Sequence, residues 1–128
     1  MYQTYQSDLS FQETVNSLQE KHEYRGEDRF MLIRGDQCTS RQDLFAVFRN
    51  TLDFPDYFAD NWDSFSDCLF DFFMRAESNI LIHISDFDAL LSDDSEQRQI
   101  FQEILDDLGE NDYSKRITIV CSSHPAAD

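Results

Sequence analysis

Apolar residues in this chain occur in two patterns, short unbroken runs and longer stretches with helical spacing, and the two alternate. From Leu9 to about Tyr24, Phe11, Val15, Leu18 and His22 recur at helical intervals, which predicts an amphipathic N-terminal helix behind a loose polar start at residues 1–8. "RFMLIRG" (29–35) is a short apolar run closed by glycine and reads as a buried strand. In "TSRQDLFAVFRNTL", Ser40 followed by Asp43 resembles a capping box, and Leu44, Phe45, Val47, Phe48 and Leu52 supply one buried face. Pro55 closes that helix, because the residue before a proline is disfavoured in the α region. A further helix is expected from Asp60 or Asn61 to about Met74. "NILIHIS" (79–85) reads as a second strand. A helix starting near Asp93 to Ser95 is buried through Ile100, Phe101, Ile104, Leu105 and Leu108 and stops at Gly109, and "RITIVCSS" (116–123) is the third strand.

The order is therefore α, β, α, α, β, α, β. Strands that are apolar on both faces and alternate with helices imply right-handed crossovers and a parallel sheet covered by helices. The expected fold class is α/β, a small three-stranded parallel sheet packed by helices, with an extra N-terminal helix. A chain of 128 residues makes one domain. Its expected divisions are an N-terminal extension at 1–28, the domain proper at 29–123 and a tail at 124–128.

Charge changes the picture. The formal net charge is −16, and repulsion of that size opposes compaction unless solubility or the steering of a basic partner requires it. It argues against nucleic acid and anionic membranes as partners, since both are polyanions. "MYQTYQSDLSF" lacks the basic start and apolar run of a signal sequence, and no segment approaches the ~20 apolar residues of a membrane span. Cys38, Cys68 and Cys121 are odd in number and without C-x-x-C spacing, which fits reduced thiols and a cytoplasmic location. Neither they nor His22, His83 and His124 have metal-ligand spacing, so no metal and no cofactor is expected. Cys68 reads as a packing cysteine, and His83, inside an apolar strand, as a satisfied structural histidine.

The acidic residues are concentrated in "DFPDYFADNWDSFSDCLFD", with aspartate at 53, 56, 60, 63, 67 and 71 and no Lys or Arg between Arg49 and Arg75. On a helix, Trp62, Phe65, Leu69, Phe72 and Phe73 form the core stripe, and Asp63, Asp67 and Asp71 lie opposite at i, i+4 and i+8. Like charges at this spacing repel by roughly 0.2–0.5 kcal/mol per pair. The helix N-terminus offsets this for Asp60 and Asp63 but not for Asp67 and Asp71. Besides a plain solvated face, three uses fit such a row. Chelation of a hard cation, as in a metal-dependent hydrolase, needs ligands converging from several elements. A general acid/base pair needs a pocket that separates two pKa values. Presentation of negative charge to a basic protein site needs neither, and docking relieves the repulsion.

"LDFPDYFADNWDSFSDCLFDF" also resembles the signature of the barstar family, the intracellular inhibitors of barnase-type ribonucleases. Leu52, Pro55, Tyr57, Phe58, Asn61, Asp63, Phe65, Asp67, Cys68 and Leu69 fall in the places of that pattern. "LIRGDQCTSRQDLF", "FQEIL" and "ITIVCS" resemble the family's surrounding elements, so that the likeness covers about 29–123. It implies a protein inhibitor, an antitoxin or immunity protein without catalysis of its own, that blocks the active site of a basic ribonuclease with acidic groups in place of RNA phosphate. By position it makes Asp67 the central phosphate mimic and puts Asp63 against basic side chains at the rim. Tyr57 would pack on the enzyme's histidine, Asn61 would hydrogen-bond from the helix start, and Glu103 would add an acidic contact from the last helix. Ala59 stands where the family has glycine and Ser66 where an aromatic is frequent, so both belong to the expected contact as departures. An immunity protein for another toxin, a DNase or an interbacterial effector, is the alternative within the same class. The free protein is expected to be a monomer.

Overall fold

The computed structural model describes residues 3–20, 28–110 and 117–125. Its elements in chain order are β1 (Gln3–Ser7), α1 (Phe11–Glu20), β2 (Arg29–Arg34), α2 (Arg41–Leu52), α3 (Trp62–Met74), β3 (Ile80–Ser85), α4 (Ser95–Glu110) and β4 (Ile117–Ser122). The expected three parallel strands and the N-terminal helix are all present. Residues 1–8, expected to be loose, instead contribute a fourth strand. All pairings are parallel and the spatial order is β1-β4-β3-β2, with Gln3 opposite Thr118, Ile80 opposite Ile117 and Arg29 opposite Ile80.

The strand periodicity of two divides the sheet into two faces. Ile80, Ile82 and Ile84 of β3, with Ile117, Ile119 and Cys121 of β4, join the main core. That core is completed by Phe45 and Phe48 of α2, Phe65 and Leu69 of α3 and Phe101 and Leu105 of α4. The other face presents Leu81 and Val120, which pack with Val15 of α1 and, at the margin, Phe11, Leu18 and Phe30. A strand covered on both faces has no solvent side, and every residue of β3 is buried.

His83 lies on the α1 side, with the Phe11 ring edge-on at 5.7 Å. It is fully buried, and neither ring nitrogen has a hydrogen-bond partner. It is thus structural, as expected, but its ring nitrogens are not satisfied among the described residues. Burial holds the imidazole down at about 4, with a smaller contribution from His124.

Local chemistry sets the helix starts. Ser10 Oγ accepts the Glu13 N–H and a Glu13 carboxylate oxygen accepts the Ser10 N–H, both at 3.1 Å, a reciprocal capping box that opens α1. Ser40 accepts the Asp43 N–H at the start of α2, as expected, and Asp94 Oδ1 accepts the Gln97 N–H at the start of α4. The last helix continues one residue past Gly109. His22 and Tyr24 of the first predicted helix, Arg116 of the last predicted strand and most of the 124–128 tail lie outside the described residues.

Two short 3-10 turns, Gly35–Gln37 and Phe87–Ala89, were not apparent in the hydrophobic pattern. They sit against each other. A Cβ on Gly35 would fall well inside contact distance of the backbone oxygens of Ser85 and Asp86, so only glycine lets the strands end this close together. The Arg98 guanidinium stacks 4.5 Å from the Phe87 ring centre and donates to the carbonyls of Phe87 and Leu90, which ties α4 to the same corner.

Candidate protein-binding face

The connection from α2 to α3 is built from its aromatic residues outward. α2 ends at Asp53, whose φ of 56° and ψ of 55° are left-handed and whose N–H returns to the Arg49 carbonyl. Aspartate tolerates this conformation better than most residues. Phe54 is buried, and Phe58 packs edge-on against both Phe54 (5.4 Å) and Phe45 (5.7 Å). With Phe54 and Phe58 turned inward, Tyr57 between them is left 67% exposed.

The loop closes on the helix through three hydrogen bonds. Asn61 caps α3, its Oδ1 accepting the Ser64 N–H at 2.8 Å. Ser64 Oγ accepts the Ala59 N–H at 2.9 Å, and the Ala59 carbonyl accepts the Asn61 N–H at 2.7 Å. Ala59 is not among the residues with positive φ, so this loop has no need of the glycine that the family pattern carries there. Asn61 Oδ1 is engaged within the chain, which leaves its amide nitrogen for an outside contact.

On α3 the buried residues are Phe65, Cys68, Leu69 and Phe73. Trp62 is half-buried between Phe45 and Phe65, and its indole N–H donates to Gln97 Oε1 at 2.6 Å, joining α3 to α4. Nothing in the spacing marked Gln97 or Ser64 as members of this network, although a polar group three residues beyond an N-cap is a recurrent signal. Asp63 and Asp67 are exposed and have no ion-pair partner among the described residues. Asp71 differs: Arg75 Nε lies 3.1 Å from its Oδ2 across one helical turn. The row expected to be wholly unneutralised is therefore compensated at its C-terminal end. Asp53, Asp56 and Asp60 belong to the cap and the loop, so the regular spacing of six aspartates spans two helices and their connection.

Ser66 is half-buried beside Asp67. Glu103 is exposed on α4, where it accepts a hydrogen bond from Gln99 at 3.2 Å, and no hydrogen bond or ion pair links it to the α3 carboxylates. Tyr57, Ala59, Asn61, Asp63, Ser66 and Asp67 thus occupy one loop-helix unit, with Glu103 on the neighbouring helix. A groove of about 490 Å³ runs along one flank of α3, with Tyr57, Cys68 and Phe72 among its walls. Its rim carries Asp53, Asp71 and Glu77 against Arg29 and Arg75, so it offers no strong field of either sign.

Burial disfavours the thiolate form at all three cysteines. Burial pushes Cys38 and Cys121 up to about 12 and raises Cys68 as well, the nearby Asp67 and Asp71 adding to the last. Cys68 is a packing residue, as expected. Among the described residues no group of three or more His, Cys, Asp or Glu side chains is placed to share a metal ion.

The loop and helix together present an exposed face whose Asp63 and Asp67 have no ion-pair partner among the described residues. A family model described as Barstar (barnase inhibitor) matches residues 29–122, and the chain belongs to that family. No curated protein matches it. The match begins at β2, so β1 and α1 precede the part that the family model covers.

Proposed function

We propose that this protein is an antitoxin that blocks the active site of a basic ribonuclease, acting in the cytoplasm. Asp67 takes the place of an RNA phosphate and Asp63 meets basic side chains at the rim. Tyr57 lies against the catalytic histidine, Asn61 hydrogen-bonds from the helix start, and Glu103 adds a contact from α4. The observation that carries this reading is the pair Asp63 and Asp67, exposed on one helix face and without an ion-pair partner among the described residues, where Asp71 is paired with Arg75. An unpaired carboxylate loses its repulsive neighbours' cost and gains charge-assisted hydrogen bonds when a basic cleft closes over it.

The test is titration into a barnase-type ribonuclease while RNA cleavage is followed. Stoichiometric inhibition is expected, with Asp67→Ala weakening it by about 2 kcal/mol or more, as for a central charged contact. Absence of inhibition by the unmodified protein would direct the search to a DNase or another effector as the toxin.

A further inference from the structure

Met74 closes α3 and is 53% exposed. The described residues hold three large apolar side chains this open, and the others are Tyr57 at 67% and Leu9 at 39%. Two of the three flank the same helix. At 100° per residue, Met74 stands seven positions after Asp67 and within about 20° of it around the helix axis, about 10 Å further along. Phe70, half-buried, lies in the same stripe, three positions after Asp67 and seven after Asp63.

The stripe therefore changes character along its length. Its first half carries the unpaired Asp63 and Asp67. In its second half Asp71 is compensated by Arg75, and the exposed apolar group is Met74, with Phe70 beside it packed in part against the main core. Met74 belongs to neither hydrophobic core of the described residues. An exposed thioether chain beside a charged contact suits an interface. Methionine is enriched at such surfaces because its unbranched, polarisable chain fits irregular apolar hollows. Ser66, small and half-buried beside Asp67, adds little apolar contact area there, so that Tyr57 before the helix and Met74 at its far end are the exposed apolar groups of this face.

We infer that Met74, supported by Phe70, is a specificity-determining contact that enters an apolar hollow of the ribonuclease about 10 Å from the phosphate-binding centre occupied by Asp67. The inference rests on the inhibitor reading above. It selects, among basic nucleases, those whose active-site rim turns apolar on one side.

The experiment measures association and dissociation rates on a barnase-type ribonuclease for the unmodified protein, Asp67→Ala, Met74→Ala, Met74→Gln and Met74→Leu. Met74 is exposed, and thermal melts check that each variant remains folded. Met74→Ala and Met74→Gln are expected to dissociate about tenfold faster with little change in association and no change in its salt dependence, as for a buried apolar contact. Met74→Leu is expected to stay close to the unmodified protein. If Asp67→Ala weakens binding while Met74→Ala and Met74→Gln behave as the unmodified protein does, the inference is overturned and the inhibitor reading stands. If the unmodified protein does not bind, or Asp67→Ala binds equally well, the inhibitor reading is overturned and the inference goes with it.

Discussion

His83 is the residue whose environment departs furthest from what its neighbours in sequence suggest. "LIHIS" reads as a core strand, and that much is borne out. The orphaned ring nitrogens follow from α1 lying over that face with Phe11 and Val15, which a local pattern does not reveal. The unfolded chain takes up a proton near pH 6.5, whereas the folded one resists it down to about 4. The stability that neutral His83 allows is therefore complete above about pH 6.5. It is lost progressively as pH falls through that window, by at most about 3 kcal/mol, and is flat below it. Urea unfolding midpoints of the unmodified protein and His83→Leu between pH 4 and 7 should converge on a simple result. The variant is no less stable at pH 7, because no buried donor or acceptor is left unmade, and its stability falls less steeply on acidification. An identical pH slope in the two proteins would show that His83 does not titrate as its burial requires. Asp63 and Asp67, by contrast, were legible from spacing alone, since an exposed helical stripe needs only periodicity to be read. The pairing of Asp71 was not, because Arg75 lies beyond the apolar run that defines the helix.

At the scale of elements, the expected strands and the helices after β2 agree with the structure to within a residue or two, while the far end of the first predicted helix lies outside the described residues. Where the reading failed, the backbone had decided and not the side chains. β1 is recruited by backbone pairing to β4, and "QTYQS" carries no apolar alternation that would announce it. The Ser10 to Glu13 capping box was present in the sequence as S-x-x-E but was not drawn upon. Gly109 is the penultimate residue of α4 as described, one position from the expected stop. The corner between the two 3-10 turns depends on a single missing side chain. Gly35→Ala would push a methyl group against the carbonyls of Ser85 and Asp86, neither of which can move without disturbing β3. A loss of about 1–3 kcal/mol is expected, comparable with overpacking a core. Thermal or chemical denaturation reads it directly, and an unchanged midpoint would mean that the two turns can separate freely.

Across the whole molecule, charge and scaffold have separate roles. The core is apolar and shields three thiols and one histidine. The net charge of −16 resides on the surface, where it acts at a distance. Association with a basic partner should therefore slow by about tenfold or more between roughly 50 mM and 500 mM salt, as screening shortens the reach of that field. Dissociation should change far less. Stopped-flow association at several ionic strengths separates the two, and a salt-independent association rate would remove steering from the account.

The parallel sheet has one more consequence, for the order in which the molecule comes into being. β4 lies between β1 and β3, yet it follows both of them in the chain, and Gln3 waits for Thr118 as its partner. Such long-range pairing is slow, because the chain must close a large loop before any contact rewards it. During synthesis β1 and β3 are both left with an open edge. A chain cut short before residue 117 therefore leaves both of those edges unpaired. The sheet becomes continuous in a single event, the insertion of β4 between two strands that have been waiting for it.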